Sequence, residues 1–549
     1  MNKWFKSGAP WIWMTGGAVS LSLIAVLGLL LLIASRGLVY FWPSTLYQWD
    51  LVHADGREEV VIGERYEWEQ VPLERLEEAG IQFEVEGEFV ERFLVKTGNR
   101  EFVPLDFRWI WQPTVVTERS PVDLAAFERI RNGNFYGYPI AVVIDGARFE
   151  GAAMESQMKD AIAQSNALAA QANELQSKAI GQINYQLEQL RLTERKLALN
   201  GQDSEAALAA IAVSREALNQ EYLVLESRLF ALREQAADDH VVVRDMRGES
   251  VSLPLDQVMA VSFPNRMNLW AKGRWWAQEI AKFLSSEPRE ANTEGGVFPA
   301  IFGTVFMVLL MAVIVTPFGV MAAVYLHEYA GNGALTRFIR IAVINLAGVP
   351  SIVYGVFGLG FFVYMLGGSI DALFYPEAHP APTFGTPGVL WSALTLAILT
   401  LPVVIVSTEE GLSRIPSSVR QGSLALGATQ AETLWRIVLP MASPAIMTGL
   451  ILAVARAAGE VAPLMLVGVV KLAPQLPVDG NFPFVHLERK FMHLGFHIYD
   501  VGFQSPNVEA ARPLVYATSF LLVSVIVSLN LTAIAVRNHL REKYRSFDN

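Results

Sequence analysis

The sequence contains no cysteine among its 549 residues. Disulfide frameworks, thiolate metal sites and cysteine-based redox chemistry are therefore excluded. The sequence also has no G-x-x-x-x-G-K-[ST] pattern, so the chain lacks a P-loop with which to bind ATP. No proline occurs between Pro139 and Pro254, and such a stretch permits long uninterrupted helices.

Charged side chains are scarce in several long stretches, which are filled by apolar residues instead. The chain is 52% hydrophobic, and its apolar runs reach the length of about 20 residues that crosses a bilayer. This pattern predicts an all-α polytopic membrane protein with six transmembrane helices. The predicted spans are residues 11–33, 297–325, 341–366, 388–406, 444–470 and 514–536.

The two parts of the chain carry opposite net charge. Residues 43–296 contain 26 Lys and Arg against 41 Asp and Glu, whereas the remainder contains 17 against 13. Basic residues cluster in the loops between alternate spans, and the positive-inside rule then places both termini in the cytoplasm and residues 43–296 on the far side. A cleaved signal peptide is the alternative for residues 11–33, but the apolar core of such a peptide is only about 7 to 15 residues long.

The long excursion divides into a β-rich part (43–151), a helical hairpin (152–236) and a β-rich return (237–296). Three segments, from Leu51, Leu94 and Val242, each have the pattern of strand, glycine-containing turn and strand. In the middle part, apolar and small residues recur at 4,3 spacing, with a phase slip before Leu187, which is typical of a coiled coil. Asn200-Gly201 is predicted to end the first helix, and Asp203 or Ser204 to cap the second. A self-contained strut and a docking arm both remain open as roles for this hairpin.

Only two acidic or basic side chains fall inside the predicted spans, namely Arg456 and Glu460 in 444–470. An unpaired charge at this depth costs on the order of 3 kcal/mol, and a spacing of four places both residues on one helix face. Either the two charges merely neutralise each other, or Arg456 offers its donors to an anionic substrate while Glu460 holds it between turnovers. The second interpretation is favoured, because apolar residues can replace a purely structural pair at little cost.

A basic polar loop, residues 407–443, interrupts the apolar second half. Its pattern resembles the "EAA" loop of importer-type ABC permeases, which reads E-A-A, three residues, Gly, nine residues and I-x-L-P. The matching positions are Gln421, Gly422, Ser423, Gly427, Ile437, Leu439 and Pro440, where the first three replace Glu-Ala-Ala. The resemblance implies a helix that docks into a groove of an ATPase subunit. The alternative is an ordinary amphipathic loop whose Leu424, Leu426, Leu434 and Trp435 lie on the membrane.

Longer motifs carry a more specific resemblance. The stretches ALGAT (425–429), IMTG (446–449), ARAAGEVAPL (455–464), GGVFPAIFGT (295–304) and GVPSIVYGVFG (348–358) are similar to the Pst phosphate-transport permease family. The resemblance covers most of residues 297–470 and the first span. It implies a type I ABC importer permease core (297–549) in the bacterial inner membrane, with a periplasmic insertion after the first span. It also implies uptake of inorganic phosphate together with a sister permease PstC, a PstB ATPase dimer that uses ATP and Mg, and the binding protein PstS.

The same resemblance assigns roles to individual residues. Arg456 and Glu460 match charged positions of the transport path, and Glu409 matches the acidic residue that opens the coupling loop. Some members carry an arginine where this chain has Val406. Thr304 and Ser351 are further candidates for lining the path, although Thr304 could instead bond its own backbone and Pro350-Ser351 could serve packing alone.

The remaining expectations concern function classes. We expect a transporter subunit that is not itself an enzyme, binds no cofactor or nucleic acid, and contacts membrane lipid. His486, His493 and His497 lack the spacing of metal ligands, so no metal site is expected. The alternatives are a permease for another oxyanion or a phosphonate, and a membrane sensor or envelope scaffold that retains the permease form.

Overall fold

The computed structural model describes residues 7–53, 55–78, 83, 87–103, 105–237, 239–331, 333–505 and 508–544. Two compact units emerge from its internal packing. The membrane unit combines Met1–Tyr40 with Phe283–Asn549, and the insertion unit is Phe41–Lys282. The insertion was predicted to extend to residue 296. Its actual boundary lies earlier, because Val297 N–H donates to the carbonyl of Phe283 and ties this segment to the next helix.

The first element of the chain is helix α1, Ala9–Val39, in the membrane unit. Lys3 and Lys6, the basic residues ahead of the first predicted span, lie outside the described residues. The insertion unit follows with two antiparallel sheets, ordered β4-β3-β2-β1-β5 and β10-β9-β7-β6-β11, with β8 paired to β7. Its strands and short helix are β1 (Leu46–Val52), β2 (Glu58–Pro72), α2 (Leu73–Glu78), β3 (Phe89–Lys96), β4 (Phe107–Trp111), β5 (Val115–Arg119), β6 (Ala125–Arg129), β7 (Phe135–Ile144), β8 (Ala147–Glu150), β9 (His240–Arg244), β10 (Ser250–Pro254) and β11 (Val258–Ser262).

Two of the three strand-turn-strand predictions are confirmed, whereas in the segment from Leu94 the second strand, β4, begins only at Phe107, the end of the predicted segment. Strands β1 and β2, β3 and β4, and β9 and β10 are each consecutive antiparallel pairs. Alternation of buried and exposed residues in these strands leaves one apolar face for each sheet, as in the core of Trp49, Val61, Phe93 and Ile110.

The proline-free stretch forms two long helical segments that pack against each other. The first comprises α3 (Ala152–Glu174), a π-helical turn (Leu175–Ile180) and α4 (Gly181–Leu199), and the second is α5 (Glu205–Ala237). The π turn adds one residue to this helical segment, so the buried seam passes from Leu175 to Ile180. This shift accounts for the phase slip in the apolar spacing. Gly201, at φ +65°, ends the first segment, and the Ser204 hydroxyl accepts from Ala207 N–H at 3.3 Å and caps the second.

The root of the hairpin is part of the sheet core. Met154, Met158, Ala161 and Ile162 of α3 are buried against Phe127, Phe135 and other side chains of the second sheet. Beyond this root, the two helices contact mainly each other, in a cluster around Ala172, Ile180 and Leu229. The hairpin therefore has a fixed base and a distal part that the sheets do not cover.

The rest of the membrane unit begins within helix α6 and is mostly helical, with two short strands. Its elements are α6 (Leu269–Ser285), β12 (Pro288–Arg289), β13 (Glu294–Gly295), α7 (Phe298–Val324), α8 (Ala334–Leu346), α9 (Ser351–Phe357), α10 (Gly368–Phe374), α11 (Val389–Ser413), α12 (Ser417–Ala425), α13 (Gln430–Thr433), α14 (Leu439–Gly459), α15 (Leu464–Val467), α16 (Leu494–Tyr499) and α17 (Val508–Tyr544). Within the described ranges, six helices are long and apolar enough to cross a membrane, as predicted.

Two of the predicted spans have wrong boundaries. Residues 341–366 are not one helix, because α8 ends at Leu346 and the candidate span is Ser351–Phe374. Pro350 sits between them as the N-cap, since proline cannot continue the preceding helix. The span predicted at 444–470 starts at Gln430 and ends at Gly459, so the polar loop is reduced to the residues between α11 and α13.

Small residues let α11 pack closely against α14 at the centre of the unit. A Cβ on Gly411 would lie 2.4 Å from Ala445 Cβ, and one on Gly449 would lie 2.7 Å from Ser407 Cβ. Neither approach leaves room for a larger side chain. The contact fixes the register of the two helices that carry Glu409 and Arg456.

Asp371 holds an extramembrane loop to the end of the Ser351–Phe374 span. It is buried, and its carboxylate accepts from Phe384 N–H at 2.8 Å and from Gly385 N–H at 2.7 Å. Asp371→Ala would leave both donors without their charged acceptor, so we expect a loss of about 2 to 4 kcal/mol of stability. The thermal unfolding midpoint of the purified protein in detergent measures this loss.

The control for Asp371 is Glu410→Ala, which removes an exposed carboxylate 3.9 Å from Arg414. Its midpoint should stay close to that of the unmodified protein, because exposed pairs contribute little. Equal midpoints for both variants would contradict the role given to Asp371.

Candidate transport path and coupling loop

Arg456 occupies the last turn of α14 rather than the middle of a continuous helix. The helix ends at Gly459, and Glu460 already has an extended backbone with φ −83° and ψ 125°. The prediction that Arg456 and Glu460 share one helix face is therefore wrong, because the backbone of Glu460 is no longer helical. A cation in the last turn is favoured there, because it faces the unpaired carbonyl groups of the helix end.

The two side chains are close despite this break. Arg456 Nε lies 3.6 Å from Glu460 Oε1, and the side chains are 33% and 23% exposed. This distance is that of an ion pair without a hydrogen bond. Across the part of the chain that the structure describes, no hydrogen bond of the Arg456 guanidinium is found, so its donors are available to a planar or tetrahedral anion.

The segment after Glu460 packs against the start of the Ser351–Phe374 span. A Cβ on Gly355 would lie 2.7 Å from Pro463 Cα. Tyr354 is buried, and its hydroxyl donates to Leu346 O at 2.5 Å. Ser351 is half-buried one turn before Tyr354. The structure therefore places the helix that carries Ser351 beside the Arg456 pair.

Glu409 lies at a different level of the unit. It is on α11 close to the contact between Gly411 and Ala445, which is about 11 residues and roughly 16 Å along α14 from Arg456. Arg340 Nη2 lies 3.4 Å from Glu409 Oε1 and also donates to Leu326 O at 2.9 Å. Glu409 thus joins α11 to α8 and is not part of the Arg456 group.

Thr304 does not line a path on the surface of this chain. It is fully buried, its hydroxyl donates to Ala300 O at 2.7 Å, and the same oxygen accepts from Leu494 N–H at 2.9 Å. The first bond lies within α7, and the second joins α16 to α7. The prediction of a path-lining role is therefore corrected to a packing role.

The loop helix α12 is attached to the membrane unit by Arg420. Its guanidinium donates to Glu328 Oε1 at 2.9 Å, to Leu412 O at 2.9 Å and to Ile415 O at 3.0 Å. Glu328 belongs to the π-helical turn Tyr325–Tyr329 that extends α7. One side chain therefore links α12 to the ends of two spans.

The predicted coupling positions divide between an inner and an outer face. Ser423 is buried, and its hydroxyl lies 2.8 Å from that of Thr433. Gln421 and Gly422 are exposed, as are Leu424 (43%) and Leu426 (91%). The outer face of α12 therefore offers apolar and uncharged groups to solvent or to a partner.

Gly427 and the I-x-L-P residues shape the return into the membrane. Gly427, at φ +90°, adopts a conformation that other residues reach only with strain, and Thr429 and Glu432 form a capping box that starts α13. Ile437, Leu439 and Pro440 are half-buried within the continuing helix. A π turn, Leu434–Val438, precedes Pro440, which has no N–H to donate.

The sequence did not reveal several residues of this region. Glu328, Tyr354 and Asp371 gain their partners only through packing, and the partners of Glu328 and Asp371 lie 92 and 13 residues away. A signal existed for Asp371, which is a lone carboxylate at the end of an apolar run. Leu434, which was one of the proposed membrane-facing residues, is buried, whereas Trp435 is 70% exposed.

Two histidines between the last two spans are buried without charge. Burial lowers the pKa of His493 and of His497 from 6.5 to about 4, while Asp500 and Lys471 act on His497 in opposite directions. Unfolded histidines take up protons near pH 6.5, whereas the folded ones resist protonation down to about pH 4. This contribution to stability is therefore complete above pH 6.5 and is lost as the pH falls from 6.5 towards 4.

We accordingly expect the thermal unfolding midpoint to be lower at pH 5 than at pH 7.5. The double substitution of His493 and His497 by Gln should flatten this dependence, because the two titrating groups are gone. An unchanged slope in the double variant would rule out the two buried rings as its source.

Comparison with known proteins identifies the membrane unit. Residues 315–546 match the family described as binding-protein-dependent transport system inner membrane component. The phosphate transport system permease protein PstA 1 of Mycobacterium tuberculosis is 34% identical over 265 residues, which are 48% of this chain and 76% of that protein. The probable ABC transporter permease protein YqgI of Bacillus subtilis is 30% identical over 257 residues, 46% of this chain and 81% of that protein.

The phosphate transport system permease protein PstC of Mesorhizobium japonicum also matches, with 34% identity over 199 residues, 34% of this chain and 61% of that protein. Six candidate spans and a polar loop attached to two of them agree with a permease subunit. The chain belongs to the family of binding-protein-dependent transport system inner membrane components, and within it to the PstA permeases.

Proposed function

We propose that this chain is the permease subunit of an ATP-driven importer of inorganic phosphate. The observation that carries the proposal is the Arg456 guanidinium, which is partly buried at a helix end with its hydrogen-bond donors uncommitted. Arginine binds phosphate oxygens in a bidentate manner, and such charge-assisted bonds are strong where water is partly excluded. The phosphate transport names of the relatives agree with this substrate.

Glu460 is proposed to occupy Arg456 while the path is empty. At 3.6 Å the pair is loose, so an arriving anion can replace the carboxylate without breaking a hydrogen bond. Phosphate is multiply charged at neutral pH, and a single arginine compensates only part of this charge. We therefore infer that the sister permease PstC contributes the remaining donors to a site between the two subunits.

The outer face of α12 is proposed as the contact with an ATPase dimer, PstB. Gln421, Gly422, Leu424 and Leu426 are exposed there. Arg420 would pass a movement of α12 to the ends of α7 and α11, and tilting of these helices would change access to Arg456. ATP and Mg are used by that partner, because this sequence lacks a P-loop.

We further propose the bacterial inner membrane as the location, with both termini in the cytoplasm and the insertion in the periplasm. Arg337, Arg340, Arg414, Arg420 and Arg436 fall on the side assigned to the cytoplasm, which supports this orientation. The binding protein PstS would then deliver phosphate on the side of the insertion.

The test is uptake of labelled phosphate at low external concentration, in cells that lack their own Pst system and express this chain with its partner subunits. Uptake that depends on this chain supports the proposal. Competition by unlabelled phosphonate or sulfate identifies another anion as the substrate if it suppresses uptake more strongly than phosphate does.

Shortening the distal hairpin distinguishes a transporter from a sensor or scaffold. Joining Gly181 to Ser227 through a glycine-rich turn keeps the buried root at Met154 and Met158. A transporter should retain uptake in this variant, whereas a scaffold should lose its role while the membrane unit stays folded.

A further inference from the structure

Helix α6, Leu269–Ser285, has an apolar and a polar side. At 100° per residue, five of its apolar residues fall in a sector of about 100°, whereas Trp276 and Phe283 lie beside that sector and Trp275 lies among the polar residues. The polar side carries Lys272, Gln278 and Lys282. The apolar sector comprises Leu269, Trp270, Ala277, Ile280 and Leu284.

Part of the apolar surface of this helix faces outward, while a lysine is held against the protein. Lys282, on the polar side, pairs with Glu279 at 2.7 Å and with Glu128 of strand β6 at 3.4 Å. On the apolar side, Trp270 is 89% exposed and Leu269 is 79% exposed. Phe283 is buried and Trp275 and Trp276 are half-buried on the side towards the protein, but Leu269 and Trp270 remain exposed, which marks the outward side as a contact surface.

The end of α6 is bonded to the beginning of the first span that follows it. Phe298 N–H donates to Ser286 O at 3.2 Å, Val297 N–H to Phe283 O at 2.9 Å, and Gly296 N–H to Glu287 O at 3.0 Å. A Cβ on Gly296 would lie 2.3 Å from Ser286 O, so only glycine permits this approach. The last turn of α6 is therefore bonded to Val297, the N-cap of α7.

The length of this span sets the level at which it begins. The candidate span Phe298–Tyr329 has 32 residues and is about 48 Å long at about 1.5 Å per residue. A hydrocarbon core is about 30 Å thick, and about 40 to 45 Å with its polar headgroups. The first residue of the span, and the last turn of α6 with it, accordingly lie at the level of the headgroups.

We propose that α6 lies in the membrane interface, with Leu269, Trp270 and Leu284 inserted at the boundary between headgroups and acyl chains. Three features point to lipid: the outward apolar sector, tryptophan at an exposed position, and backbone bonds to the start of a membrane span. Arg274, at the edge of the sector, is placed to meet lipid phosphate.

The absence of cysteine from the sequence permits an experiment with single labels. Trp270→Cys and Leu284→Cys report on the apolar sector, and Gln278→Cys, on the exposed part of the polar side, is the matched control. Each full-length variant is labelled with an environment-sensitive fluorophore and placed in nanodiscs of phosphatidylcholine and phosphatidylglycerol. Quenching by aqueous iodide is compared with quenching by a nitroxide attached near the top of the acyl chains.

Interfacial burial predicts iodide quenching at positions 270 and 284 several-fold weaker than at 278, and nitroxide quenching several-fold stronger. Iodide quenching as strong as at 278 would show a face in water and would overturn the proposal. Protection from both quenchers would show a protein contact, and would overturn it equally. The use of two positions guards against a variant that fails to fold.

Discussion

Replacing Arg456 by alanine is expected to lower phosphate uptake by about one to two orders of magnitude. The guanidinium is the cation at the end of α14, and the loss of charge-assisted bonds to an anion costs about 1.5 to 3 kcal/mol. The substitution also leaves Glu460 as an uncompensated negative charge on the path, which repels the substrate. Initial rates of labelled phosphate uptake, at equal amounts of protein in the membrane, measure the effect.

Two further variants locate the cause of this loss. Glu460→Gln keeps the size of the side chain but weakens its hold on Arg456, so uptake should fall much less than in Arg456→Ala. Arg414→Ala removes a cation whose side chain is 81% exposed, and uptake should stay near the unmodified level. Full uptake by Arg456→Ala would show that the anion is bound elsewhere.

Arg420→Ala is expected to uncouple the loop from the spans. The side chain is only 20% exposed, and its single guanidinium makes three contacts that hold α12 to the ends of the spans. No neighbouring group can therefore substitute for it. Removal also leaves Glu328 without this partner. We expect a loss of uptake of about tenfold or more, with a larger ratio of ATP hydrolysed to phosphate imported in the reconstituted transporter.

The matched variant for Arg420 is Arg436→Ala, which removes an exposed cation from the same polar stretch. Its uptake and ATP ratio should remain close to normal. If Arg420→Ala transports with a normal ratio, α12 is not held by this side chain in the assembled transporter. Glu328→Ala removes one of the three contacts of Arg420 and should give a smaller defect, because the bonds to Leu412 O and Ile415 O remain.

Local signals in the sequence predicted much of the architecture. Asn200-Gly201 and Ser204 end one helix and cap the next as expected, because capping depends on neighbours in the chain. The number of spans follows from apolar length alone. The start of a helix at Pro350 was harder to predict from the sequence, because the apolar run continues through this residue.

The candidate site was predicted only in part. The proximity of Arg456 and Glu460 was expected from their spacing, but the helix ends between them at Gly459, and the segment around Pro463 packs against Gly355. The Arg420 and Glu328 pair joins residues far apart in the chain, and no local pattern encodes it. Thr304 was misassigned because a buried and a path-lining hydroxyl look the same in one sequence.

The hairpin of the insertion unit has the proportions of a lever. Its last residue buried in the sheet core is Ile162, and its first helical segment continues to Leu199. At about 1.5 Å per residue, the tip lies about 55 Å from Ile162, which is farther than a bilayer is thick. A small rotation at the root would sweep the tip through many ångströms, so weak forces at the tip would exert a large torque on the sheets that hold it.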